Sequence, residues 1–403
     1  MPDLLKPRHH QEVETAVQWA LAERKSLEIV GHGSKRALGR PAQYDATLDV
    51  SGIAGVTLYE PEELVLSAKA GTPLAEIKAL LAANGQELAF EPIDYGPLLG
   101  REQGLGTIGG TLAANLSGPR RIRAGAARDH FLGAVAVSGR GETFKTGGRV
   151  VKNVTGYDLC KLLAGSWGTL GILTEVTVKV LPRAPTEATL LAFGMDDEAA
   201  AGAMTSAMGS PSGVSGAAHL PDYVASRFDG LTEAEATTAF RIEGVAVAHC
   251  LDELKRAVRP YGKFAALNDA DSRVLWRAIR DVQPFWADGE FGERALWRIS
   301  TAPRRGFEIA AKISPGSLLF YDWAGGLVWV APPVTRDCGA AAIRGAVAGT
   351  GGHATLVRAP AAVRASVDAF HPETGALAAL TKRVKESFDP KGVLNPGRMW
   401  AGV

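Results

Sequence analysis

The sequence predicts an α+β protein of two or three domains, on three observations. A length of 403 residues exceeds one ordinary core, and 46% hydrophobic with 22% charged residues can fill more than one. Helix and strand periodicities interleave through the first 185 residues, with glycine-rich loops at several of the changeovers. Near residue 185 the composition turns toward Ala, Gly, Ser and Pro, as at a domain boundary.

In "HHQEVETAVQWALAERK", Val13, Val17, Ala20 and Leu21 recur at spacings of three and four, which gives a helix one apolar face. A strand follows at Leu27 to Val30 and breaks into a loop at Gly31 and Gly33. Alternation at Leu64, Leu66 and Ala68 predicts another strand, and "TPLAEIKALLAANG" a helix with Thr72 as N-cap, Pro73 as first helical residue and Gly85 as stop. Next come a second glycine-rich segment, "GLGTIGGTLAANLSG", the arginine cluster "PRRIRAGAARD", and a hairpin pivoting on Gly139 to Gly141. "NVTGYDLCKLLAGSWGTLGILTE" then supplies a loop, a short helix, a third glycine-rich loop and the start of a strand. Ile172, Thr174, Val176, Val178 and Val180 share one face of that strand, which ends at Pro182. The domains predicted are 1–185, split near 52, then 186–345, and a C-terminal segment at 346–403.

Charge and cysteine content narrow the function. Lys+Arg 44 against Asp+Glu 43 leaves a net charge of +1, without the broad positive field that nucleic-acid binding needs. Cys160, Cys250 and Cys338 are odd in number and far apart, which excludes a disulfide framework and any CxxC metal or cluster site. The N-terminus carries charges throughout and does not read as a secretory signal, and no run is long and apolar enough to span a membrane. The expected location is the cytoplasm, a placement compatible with attachment to the inner face of the plasma membrane through a partner.

Glycine-rich loops let backbone N–H groups converge on an anion, and three in order, near 31, 107 and 165, are too many for chance turns. Neither GxGxxG after the first strand nor GxxxxGK[ST] is present, which disfavours a nicotinamide Rossmann domain and a P-loop NTPase.

The ordered segments "VGHGSK", "TIGGTLAANLSG", "ARDHFLGAVAVSGRGE", "KNVTGYDLCKLLAGSWGTLGILTEVTVKVLP" and "FDPKGVLNPGRMW" resemble the FAD-binding oxidase family of the vanillyl-alcohol oxidase (PCMH) type. Within it, "LWRIS" and "YDWAGGLVW" are similar to the family of FAD-binding E subunits of bacterial glycolate oxidase. The resemblance implies noncovalent FAD between two α+β subdomains, a smaller α+β cap or substrate domain, and a C-terminal segment returning to the FAD domain. By its motifs Gly31, His32, Gly33, Ser34 and Lys35 wrap the pyrophosphate, while Thr107, Ile108, Gly109, Gly110 and Thr111 approach the flavin and ribityl chain. Pro92, Asn115 and Ser117 join them. Asn153, Thr155, Gly156, Tyr157 and Asp158 close around the dinucleotide with Gly165, Ser166, Trp167, Gly168, Thr169, Gly171 and Ile172, and Arg398 comes from the returning tail. The histidine that carries a covalent flavin in some members aligns nearer Ser34 than His32.

Several of these residues have plainer readings: Asp158 could only complement a helix dipole, and Cys160 reads as a small buried apolar residue. Arg128, ahead of an apolar strand, reads as a buried guanidinium with an anionic partner and a contact of the flavin domain, whereas Arg120, Arg121 and Arg123 are equally a solvated face or a docking or anion-binding site. Arg298, interrupting an apolar strand, is the candidate to hold a substrate carboxylate, with His353 and Arg358 beside it as further catalytic candidates and Asp322 a weaker one.

Related 2-hydroxy acid dehydrogenases carry a paired-histidine "HxGDGNxH" motif, absent here, where His353 stands alone in "GGHATLVRAP". Three readings follow. The chain is a flavoprotein subunit oxidising a small 2-hydroxy acid such as glycolate with a sister FAD subunit and an iron-sulfur subunit, a self-sufficient FAD-dependent dehydrogenase, or a non-catalytic FAD-containing scaffold.

Overall fold

The structure is a computed structural model that describes residues 3–149, 156–231 and 235–403. Among these residues the strands form four sheets. A small parallel sheet places Ala46–Asp49 between Asp3–Leu5 and Leu27–Val30, and the helix His10–Ala22 buries Val13, Val17 and Ala20 beside it, the face its periodicity predicts. An antiparallel five-stranded sheet runs Val56–Glu60, Val65–Lys69, Ile172–Lys179, Phe131–Val137, Thr143–Gly147. The hairpin over Gly139 to Gly141 lies at its edge. All five residues of the alternating set from Ile172 to Val180 are buried there. The short strands Gln86–Glu87 and Leu181–Pro182 make a two-stranded sheet.

The helix Leu74–Ala83 starts one residue later than its sequence suggests, with Pro73 as N-cap. Thr72 has another use: its hydroxyl donates to the Lys69 carbonyl and accepts from the Gly55 amide, which ties the turn to the preceding strand.

From Glu187 to Arg358 the chain builds an eight-stranded antiparallel sheet. The strand His353–Arg358 is its last member, paired with Leu296–Ser300. This corrects the expectation that everything after 346 returns to the FAD domain. Ala354, Leu356 and Val357 are buried, so this strand completes the second core, and the return is made by the helix Gly375–Phe388 and the tail after it.

A buried ion network joins the two halves. Arg241, 1% exposed, donates from both terminal nitrogens to Glu91 at 2.8 and 2.9 Å, with its guanidinium 4.6 Å from the centre of the Trp276 ring. Arg120 reaches Glu243 and Glu87, and its amide donates to Glu91. Glu87, Glu91 and Arg120 precede residue 185 and Arg241 and Glu243 follow it. Burial raises the Glu91 carboxyl, but the charges of Arg241 and Arg120 outweigh it and hold the group down at about 2. Arg120 is thus buried rather than part of a solvated face.

Removing one member of such a network strands the rest in low dielectric. Glu91→Gln is expected to cost at least about 3 kcal/mol in denaturant unfolding at neutral pH. The wild-type contribution is intact above the ordinary glutamate range near 4.5 and is lost as pH falls toward 2. A pH series of unfolding midpoints should therefore fall across that window in the wild type and less steeply in the variant.

Candidate flavin and substrate site

Two adjoining openings lie where the elements meet. The first is lined by Gly31 to Lys35 after the first helix-strand pair, by Thr107, Gly109 and Gly110, by Trp167, Gly168, Gly171 and Ile172, and by Arg398. The second, of about 630 Å³, lies between the halves and takes Asn115, Ser117, Gly165 and Arg121 from one and Arg298, Trp323, Trp329 and His353 from the other. Trp167 and Ala114 line both, so the openings are neighbours.

Backbone geometry explains the glycines of the first opening. Thr107 caps the helix Ile108–Ala113 by accepting from the Gly110 amide. A Cβ on Gly31 would meet the Thr107 side chain at 3.1 Å, and one on Gly109 would strike Ala70 at 2.6 Å. Gly165 and Gly168 have φ of +87° and +75°, a region that costs other residues energy. Gly171 needs no such conformation and simply keeps the wall of the opening thin.

The returning tail fixes this loop. Asn395 accepts from the Ile29 amide and donates to the Trp167 carbonyl, each at 2.9 Å, joining the first strand to the third glycine loop. Lys385, buried, donates to Thr169, Leu394 and Asp389.

Charge in the first opening is positive and unpaired. Burial pushes the Lys35 amine down to about 8, and its hydrogen bond goes to the Ser34 hydroxyl. Arg398, 6% exposed, donates from Nη2 to the Lys35 carbonyl, while its buried Nε has no partner. Neither has a carboxylate within salt-bridge distance among the described residues, unlike Arg36, which pairs with Glu28.

In the second opening strand register does the placing. Arg298 lies opposite Trp329 on one side and Thr355 on the other, and Ser300 lies opposite His353. Side chains two apart on a strand share a face, so these five line the chamber while Trp297, Ile299, Ala354 and Leu356 are buried in the core behind. Trp323 stands at φ +53°, its amide held by Asp322 and its indole donating to the Gly118 carbonyl. The guanidiniums of Arg121 and Arg298 lie 4.1 and 4.9 Å from the centre of its ring. Burial, with the charges of Arg298, His371 and Arg121, lowers the His353 imidazole to about 4, so it is neutral at physiological pH.

Sequence reasoning missed His371. Its Nδ1 faces Arg344 at 2.9 Å and the Ala354 amide at 3.3 Å; both can only donate, so Nδ1 accepts and Nε2 carries the ring proton. It lines the same chamber as His353. Nothing in the short segment "FHPET" signals this, because the pairing is made by the neighbouring strand.

Several predicted residues lie elsewhere. Arg358 spends its guanidinium on the carbonyls of Leu98, Phe285, Phe291 and Arg294, a brace between segments and no part of the chamber. Arg128 is exposed and has no anionic partner among the described residues; its amide donates to Asn115 and its carbonyl accepts from Lys161. Tyr157 is 91% exposed, Asp158 caps the helix Leu159–Leu163, and neither these nor Gly156 lines an opening. Pro92 faces the charged cleft around Arg120 and Arg241. Ile108, Thr111, Ser166 and Thr169 are buried behind the loops and shape them, the last two through hydroxyl bonds to Leu163 and Ser166 carbonyls. Asp322 holds Trp323 from behind instead of facing the chamber; burial raises its carboxyl to about 7. Asn153 and Thr155 lie outside the described residues.

Residues 3–147 match the FAD binding domain family model. The glycolate oxidase subunit GlcE of Escherichia coli K12 is 33% identical over 98% of this chain and 98% of its own length. The chain belongs to the GlcE family. Subunit GlcD of the Bacillus subtilis glycolate oxidase is 30% identical over 50% of this chain and 42% of its own. A substrate-bound p-cresol methylhydroxylase structure superposes with a TM-score of 0.71 at 12% identity, over 99% of this chain and 88% of that one, a likeness of fold.

As a GlcE-family member the chain is an FAD-dependent oxidoreductase subunit, and its first opening fits the cofactor: backbone walls that a Cβ would fill, beside two unpaired buried cations and an orphan N–H. Lys35 and Arg398 would meet the pyrophosphate charge. Gly168→Val forces a β-branched side chain to positive φ, with its Cβ 2.9 Å from Asn395. It is expected to purify with less than about a tenth of the wild-type flavin absorbance while keeping a folded circular dichroism spectrum. FAD affinity of the apoprotein should weaken as pH rises through about 8, where Lys35 loses its proton, and Lys35→Met should flatten that dependence at a lower affinity.

Proposed function

We propose that the chain is an FAD-carrying subunit of a complex that oxidises a small 2-hydroxy acid such as glycolate to the 2-oxo acid. A sister FAD subunit and an iron-sulfur subunit would pass the electrons on. The observation that carries this reading is the pairing, in one chamber beside the FAD opening, of the unpaired guanidinium of Arg298 with the neutral imidazole of His353. The relative that matches end to end is itself named as a glycolate oxidase subunit.

Bound FAD supplies the hydride acceptor. The chain's own residues do the rest. Arg298 presents the planar fork that matches a carboxylate. His353, kept unprotonated by burial and by the charges of Arg298 and Arg121, takes the hydroxyl proton at a ring nitrogen, and its positive charge is then offset by the bound carboxylate. His371 offers Nε2–H as a fixed donor. The flavin is held noncovalently, so acid precipitation should leave it in the supernatant.

The same chamber supports a second reading, a self-sufficient dehydrogenase, because clamp and base are both present without a partner. Anaerobic addition of glycolate separates the two: bleaching of the purified chain alone supports self-sufficiency, and bleaching only after the partner subunits are added supports the complex. Flavin that neither treatment reduces, with glycolate or D-lactate, would sink both. In the competent form His353→Asn is expected to slow flavin reduction by about 10²–10⁴-fold with FAD content unchanged. The free-enzyme pH profile should lose its rate only near pH 4, well below the range of an ordinary histidine.

A further inference from the structure

The chamber holds more positive charge than a monocarboxylate needs. Arg298 alone can clamp one carboxylate through its fork. Arg121, from the loop that opposes it, brings a second guanidinium to the same Trp323 ring, 4.1 Å from its centre against 4.9 Å for Arg298, and both line the chamber. Neither arginine has a carboxylate partner among the described residues, whereas Arg120, the neighbour of Arg121 in sequence, is fully engaged by Glu87 and Glu243. Of the other charged or titratable groups lining the chamber, His353 is neutral, His371 accepts at Nδ1, and Glu373 is an acid beside Pro372 and Thr374. Asp322 lies behind the indole. Stacking on Trp323 orients the two guanidiniums but neutralises neither.

We propose that the chamber is built for a dianionic acid, a 2-hydroxy acid bearing a second carboxylate, with Arg298 on one carboxylate and Arg121 on the other. The proposal rests on the reading of this chamber as the substrate site. It goes beyond that reading by assigning Arg121 the choice between mono- and dianions. Burial, and after it the charge of Arg298, depress the Arg121 guanidinium, and a ligand that counters both cations relieves their repulsion.

The test needs no turnover. The FAD-loaded protein is titrated at fixed ionic strength with the unreactive anions acetate, malonate and succinate, and binding is read from perturbation of the flavin spectrum. Malonate or succinate is expected to bind about tenfold or more tightly than acetate, as a second charged hydrogen-bonded contact requires. Arg121→Ala should erase most of that ratio, and Arg121→Lys should restore part of it. Equal wild-type affinities for acetate and both diacids would overturn the proposal without any variant. So would an Arg121→Ala protein that keeps both its FAD and the diacid preference, since Arg121 would then not hold the second carboxylate. If glycolate bleaches the flavin while the diacids bind no better than acetate, this proposal fails and the oxidation reading stands. If the diacids bind tightly but no 2-hydroxy acid reduces the flavin with or without partners, the reverse holds.

Discussion

The buried contact between Glu91 and Arg241 is the constraint on which the rest depends. The chamber belongs to neither half alone: its guanidinium and imidazole face come from the eight-stranded sheet, and its opposite wall from residues before 185. A space of that kind persists only if the halves are held in one register. A hydrophobic contact could supply the energy, but it would tolerate sliding, whereas a bidentate guanidinium–carboxylate pair is directional. Arg120 extends the pair into a network, and its backbone is where the two functions separate. Arg120 turns inward to Glu243 while the next residue, Arg121, reaches the chamber. One turn of chain thus locks the interface and arms the site.

The tail performs the matching task for the dinucleotide opening. Asn395 spans the first strand and the third glycine loop, and the buried Lys385–Asp389 pair holds the segment that presents it. Residues 366 positions apart in sequence therefore shape one wall. This long-range closure explains why the positive φ of Trp167 and Asn395 can be sustained together: each is fixed by a partner distant in sequence.

What the sequence made legible follows from how local the signals are. The helix His10–Ala22, the strand Leu27–Val30, the hairpin and the strand from Ile172 are period-two or period-three-to-four patterns, and each residue set finds the core it implies. The glycine loops were readable because an anion cradle is a local backbone device, and Arg298 because a cation inside an apolar strand is conspicuous. Arg128 and Arg358 misled for the same reason. A cation next to apolar residues can be satisfied by carbonyls or by water, and only the fold says which. Arg121 was undecided and His371 invisible, since their roles are set by Trp323 on another element and by Arg344 on a helix far along the chain.

A net charge of +1 conceals how unevenly the cations are used. Arg36, Arg120, Arg241 and Arg280 are spent on carboxylates within the protein. Lys35 and Arg398 at one opening, and Arg121 and Arg298 at the other, are not. Burying a cation without its counter-ion costs free energy that folding must offset elsewhere, and the lowered amine of Lys35 records that cost. A ligand that brings the missing negative charge returns it as binding energy and raises the stability of the folded state by mass action. The two openings therefore couple to folding in the same sense. On the proposed assignments a dinucleotide would lie against the loops that Asn395 ties together, and an acid would counter the arginines on either side of the interface that Glu91 and Arg241 hold. Stability, cofactor retention and substrate choice meet in one arrangement, in which internal ion pairs fix the frame while Lys35, Arg398, Arg121 and Arg298, without carboxylate partners among the described residues, line the two openings.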